Sequence, residues 1–85
     1  MESKIKNAVG DKLDKLNVWI DEVRFEKEGT ETFLRIVLDA DFIIPLNTVV
    51  MATRIINPIL DKMDIELDDC MLDVYAKEKG DVTNE

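Results

Sequence analysis

The sequence predicts an α+β domain of order α-β-β-α-β, a three-stranded mixed sheet with two helices on one face. Three observations predict it. Apolar residues recur at three- and four-residue spacing near the N-terminus and again from Val49 to Met63. Two alternating runs lie between them, joined by a short glycine-containing link. A third alternating run follows the second helix, so the second strand, second helix and third strand form one crossover unit, which should be right-handed. Periodicity alone leaves open whether the third strand pairs with the first or the second.

Residues 3–16 read as a helix, with Ile5, Ala8, Val9, Leu13 and Leu16 on one face and lysines and aspartates on the other. Ser3 is the best available N-cap. Gly10 costs a helix interior about 1 kcal/mol relative to alanine, or else allows close approach to another element. Residues 18–27 read as a strand whose core parity is Trp19, Val23 and Phe25, with Asp21 its one awkward member. Glu28, Gly29 and Thr30 form a turn, and residues 32–39 form the second strand, where Leu34, Ile36 and Leu38 alternate with Phe33, Arg35 and Val37.

Pro45 closes that strand and suits a helix entrance. Asn47 or Thr48 is expected to cap the next helix, which reaches about Met63 and presents Val49, Ala52, Ile56, Ile59 and Leu60 inward. Pro58 is expected to kink it, or to break it with Asn57 capping a second short turn. Residues 64–69 read as an acidic loop, and residues 70–76 as a third strand with Cys70, Leu72 and Val74 inward and Asp73 and Tyr75 outward. From Lys77 the chain is polar and expected to fray. Residues 1–76 are therefore read as a single domain and 77–85 as a polar C-terminal tail.

Composition narrows the function classes. The 85 residues are 46% hydrophobic and 35% charged, which is ordinary for a folded domain. With 11 basic and 19 acidic residues the net charge is −8, which opposes nonspecific binding to DNA or RNA and favours basic partners. The single cysteine precludes an internal disulfide. The longest apolar run is Phe42 to Leu46, far short of a membrane span, and the amphipathic N-terminus lacks a signal-peptide pattern, so the expected location is cytoplasmic.

The chemistry-bearing patterns are few. There is no histidine, which removes Ser-His-Asp and Cys-His catalysis and most zinc sites. Cys70 has core parity and acidic neighbours, so it reads as a small buried apolar residue, not a reactive thiol. The glycines at 10, 29 and 80 are too dispersed for a phosphate loop. The carboxylates at 39, 41, 61, 64, 66, 68 and 69 lack EF-hand spacing and read as a solvated rim or a protein-binding patch. Phe33, Val37 and Tyr75 sit on the outward face of the sheet, where exposure would make them a contact surface.

Several segments then resemble a known family. DEVRFEKEG at 21–29, FLRIVLD at 33–39, ATRIINPILD at 52–61 and LDV at 72–74 are similar, in order and spacing, to the N-terminal domain of the ribosome maturation factor RimP family. The likeness spans roughly residues 5–76. It implies the same α-β-β-α-β domain and a non-enzymatic role in maturation of the small ribosomal subunit, through a basic small-subunit ribosomal protein, with no cofactor. Family members continue into a motif like SSPGLDRPL and a second, β-barrel domain, whereas this chain reads YAKEKGDVTNE, which implies a diverged relative or part of a longer protein. Asp39 and Asp61 fall within matched segments and Asp41 and Asp64 lie nearby, so these four are the expected protein-binding rim. The alternative is a self-associating structural module with no ribosomal role.

Overall fold

The structure, a computed structural model, describes residues 2–63 and 70–78. Its elements are α1 (Glu2–Val9), a 3₁₀ helix (Gly10–Leu16), β1 (Val18–Glu28), β2 (Glu31–Ala40), α2 (Leu46–Asp61) and β3 (Cys70–Ala76). The order is the expected α-β-β-α-β. The strands form one mixed sheet in the order β1-β2-β3, which answers the pairing question: β3 runs parallel to β2, and β1 is antiparallel to it.

One core lies between the sheet and the helices. Ile5 and Val9 of α1, Leu13 of the 3₁₀ helix, and Ala52, Ile56 and Leu60 of α2 meet Val18, Val23, Leu34, Ile36, Leu38 and Ala40 of the sheet. Both helices therefore cover the same face. The spacing of these residues produces this arrangement: positions two apart share a strand face, and positions three or four apart share a helix face.

The N-terminal helical stretch is two segments. Gly10 has φ +48°, a left-handed conformation that ends the α-helix, and a Cβ placed there would meet nothing within 4 Å. It is a hinge between segments, not a point of close approach. Beyond it Leu13 and Leu16 are three apart, the spacing a 3₁₀ helix eclipses onto one face; Leu13 is buried and Leu16 packs against the core. Asn17 ends the segment at φ +60°, its N–H donating to the Asp14 carbonyl at 2.9 Å. Ser3, the expected cap, lies inside the first turn of α1. Gly10→Ala is expected to destabilise the domain by about 1 kcal/mol, because alanine is strained in the left-handed region. A regular helix interior would show the opposite sign, so the direction of change in a urea midpoint decides between the two geometries.

Gly29 supplies the positive φ (65°) of the two-residue link between β1 and β2. In β1 the ladder shifts register: Ile20 faces Leu38 and Glu22 faces Val37, leaving Asp21 as a bulge. The extra residue changes the phase of the strand. Val18 and Ile20 face the core before it, and Val23 faces the core after it. Trp19, expected inside with Val23, therefore lies on the opposite face, paired with Asp39 and 45% exposed. Phe25 keeps the core parity but is also largely exposed, near the hairpin end.

Pro45 occupies the N-cap position of α2 in an extended conformation, and its carbonyl accepts from the N–H groups of Thr48 (3.0 Å) and Val49 (3.2 Å). Neither Asn47 nor Thr48 caps the helix. α2 also continues through Pro58 to Asp61 without the expected break. The missing N–H costs one bond near the helix end, where Arg54 and Pro58 are both exposed to solvent. Cys70 opens β3 half-buried instead of fully buried. Lys77 is not frayed: its N–H donates to the Leu38 carbonyl at 2.7 Å, extending the parallel ladder. The expected acidic loop at 64–69 lies outside the described residues.

Candidate functional site

The face of the sheet turned away from the helices is a charge lattice. Arg35, at its centre on β2, reaches Glu26 at 2.8 Å and Glu28 at 3.2 Å on β1, and its Nε lies 3.4 Å from Asp73 on β3. Its guanidinium also stands 4.8 Å above the centre of the Phe33 ring. Arg24 on β1 contacts Glu22 and Glu26 and donates from Nη2 to the Tyr75 hydroxyl on β3. That bond spans the central strand and roofs over Val37, which is only 4% exposed. The hydrogen bond to Tyr75, and then the charge of Glu26, hold the Arg24 guanidinium above its usual pKa. The Nε atoms of both arginines make no aligned hydrogen bond, so Glu22 and Asp73 serve them as nearby charges.

This face is thus not the apolar plate that its residue types allowed. Val37 is buried, Phe33 lies under Arg35, and Tyr75 is engaged by Arg24. Flat stacking of nucleic-acid bases or of a second apolar sheet has little free surface here.

The bulge is clamped from two sides. Lys6 of α1 donates to the Asp21 carbonyl at 3.2 Å, and Lys77 lies 3.5 Å from the Asp21 carboxylate. Beside this clamp an open hollow of about 440 Å³ lies between Glu22, Arg24, Tyr75 and Lys77. Four of the five charged side chains that line it pair with one another, Arg24 with Glu22 and Lys77 with Asp21, and Glu78 takes part in no ion pair among the described residues.

The other end of β1 is different. A second open hollow, of about 400 Å³, is lined by Asp14, Asn17, Val18, Trp19 and Asp41. Among the described residues, Asp14 and Asp41 take part in no side-chain ion pair. Asp39, two residues before Asp41, lies on β2 opposite Trp19, with its Oδ1 accepting from the Ala40 N–H at 2.8 Å. Of the four carboxylates singled out in the sequence, Asp39 and Asp41 are therefore brought together. Asp61 is the last residue of α2, a 16-residue helix whose first residue follows β2. It lies roughly 22 Å along the helix axis from that end. Asp64 is outside the described residues. One contact touching both Asp41 and Asp61 has to run the length of α2.

Sequence reasoning missed Asp14 and the exposed Trp19 as members of this site. It also missed how far Ile43 and Leu46 stand out, both 77% exposed. A signal was present: between Arg35 and Arg54 the only charges are Asp39 and Asp41.

The described residues hold no group of three or more Cys, Asp or Glu side chains placed to bind a metal ion. No described helix is long and apolar enough to cross a membrane. Comparison with protein-family models and with curated proteins returns no match.

Proposed function

We propose that this chain is a non-enzymatic docking module that sets an acidic surface against a basic protein. Its resemblance to the RimP N-terminal domain names the partner, a basic protein of the small ribosomal subunit, and the process, maturation of that subunit in the cytoplasm. The observation that supports this most is the contrast between the two surfaces. On the open sheet face the carboxylates are tied to Arg24 and Arg35, whereas Asp14 and Asp41 stand unpaired around a hollow beside Trp19. Unpaired carboxylates lose no internal partner when a cation arrives, so their attraction adds to the encounter. The net charge of −8 extends that attraction beyond contact distance and raises the association rate.

The test is binding of the full chain to purified small-subunit ribosomal proteins at low and moderate salt. Replacing Asp39, Asp41, Asp61 and Asp64 together by asparagine is expected to weaken binding about tenfold at low salt. The difference shrinks as added salt shortens the screening length to about 10 Å or less. Unchanged affinity at low salt overturns the assignment of these residues.

A further inference from the structure

We propose that the shoulder where β2 passes into α2, with Trp19 beside it, seats a basic amphipathic segment of a partner protein. The inference deepens the docking reading and rests on it for the partner's charge. Among the described residues eight large apolar side chains are substantially exposed; Phe42, Ile43, Leu46, Val50 and Met51 lie on this shoulder, and Trp19 shares a hollow with Asp41 just before it. The other two, Phe25 and Met71, sit toward the hairpin end of the sheet.

The backbone explains why these side chains point outward. Ile44 packs against the core, and Pro45 turns the chain into α2. Ile43 and Leu46 flank that turn and are left outside it. Leu46 and Val50 are four residues apart, so they stack on one helix face. That face is the wrong one for folding, because the core side of α2 is already filled by Ala52, Ile56 and Leu60. Farther along, the solvent side carries Arg54, Asn57 and Asp61, as an amphipathic helix should. The apolar exposure is confined to the first turns of α2 and the loop before it. A cluster of this kind on a small domain marks a contact surface.

Charge selects the occupant. Asp41, just before Phe42, borders the shoulder and shares a hollow with Asp14 and Trp19, and the first cation on α2 is Arg54, one turn beyond Val50. Leucine-like anchors on Ile43, Leu46 and Val50 would be flanked by lysine or arginine at Asp14 and Asp41. A second copy fits poorly, because a two-fold contact sets the same patch against itself and brings the same carboxylates together. Nucleic acid would bring phosphates to that rim.

The test is a titration of the full chain with a synthetic Leu/Lys amphipathic peptide, followed by fluorescence of Trp19, the only tryptophan, and by calorimetry. Two control peptides carry Glu for Lys, or Ser for Leu. The Leu/Lys peptide is expected to shift Trp19 emission and bind about tenfold more tightly than either control. The double variant Ile43→Ser, Leu46→Ser changes only highly exposed positions and is expected to keep its fold by circular dichroism while losing about tenfold in affinity. Asp61→Asn, at the far end of α2, is expected to bind the peptide normally. Equal binding by the double variant overturns the proposal. So does a chain that sediments as a dimer, is split by the double variant and ignores the peptide, because the occupant is then a second copy. If small-subunit ribosomal proteins bind the double variant normally but not the four-aspartate variant, the docking reading stands and the shoulder falls. If the peptide needs the shoulder but no ribosomal protein binds, the shoulder stands and the ribosomal reading falls.

Discussion

Insertion of an alanine between Val37 and Leu38 is expected to remove most of the stability of the domain. Leu34 and Ile36 on one side of that point and Leu38 and Ala40 on the other all face the core from one unbroken alternation. One extra residue puts the two halves of β2 out of phase, so one half must turn over. Exposing Leu34 and Ile36 costs about 3–6 kcal/mol in lost burial. A domain of this length has only about 4–13 kcal/mol in all. The insertion variant should therefore melt far below the native chain, or fail to fold. Deletion of Asp21 is expected to be far milder. Asp21 is the one residue of β1 without an opposite number on β2, and without it Val18, Ile20 and Val23 share one parity, so the bulge vanishes and the core face stays intact. The deletion forfeits the contacts of Asp21 with Lys6 and Lys77 and should cost about 2 kcal/mol or less. An insertion variant with a native urea midpoint would mean that β2 absorbs the extra residue without turning over.

Ile56→Ala is the other substitution with a large expected effect. Ile56 is fully buried in the middle of α2, within the cluster that joins the helix to the sheet. Truncating a buried isoleucine costs about 2–5 kcal/mol, from lost burial and from the cavity left behind. Helix propensity favours alanine, but by less than about 1 kcal/mol, so the cavity decides the sign. The expected result is a steep fall in melting temperature. Ile43→Ala on the same stretch of chain should leave stability within about 0.5 kcal/mol of native, because that side chain is 77% exposed. Equal losses at the two positions would mean that α2 does not pack as described.

These two sites show what was legible in the sequence. β2 alternates without interruption, so Leu34, Ile36 and Leu38 were correctly placed inside. The inward face of α2 was legible for the same reason, through Ala52, Ile56 and Leu60. β1 was read with one parity, and a single inserted residue defeats a single parity. The clue lay in the apolar residues themselves: 18 and 20 share one phase, 23 and 25 the other. Gly10 gave no comparable clue, because a glycine fits both a helix interior and a left-handed link. The neighbours of β3 were not legible, because its alternation is the same beside either strand. At the candidate site, Asp39 and Asp41 came together because they are close in the chain. Asp61 separated from them because α2 holds its ends apart. The outward shoulder escaped notice because periodicity identifies an apolar stripe but not which residues at its start overhang the core.

The parallel pairing of β3 with β2 has a consequence for how the chain is made. Thr32 faces Cys70 and Leu38 faces Ala76, so each pair in that ladder is 38 residues apart in sequence. The hairpin pairs far closer residues and closes with a smaller entropic cost. During synthesis α1, the hairpin and α2 all emerge before β3. Until residues 70–77 follow, the central strand carries Leu34, Ile36 and Leu38 beside an unfilled row of backbone donors and acceptors. That row is a template for any extended chain nearby. A translation product stopped within α2 is thus a natural substrate for chaperones and a seed for aggregation, and β3 is the strand that covers this edge of β2.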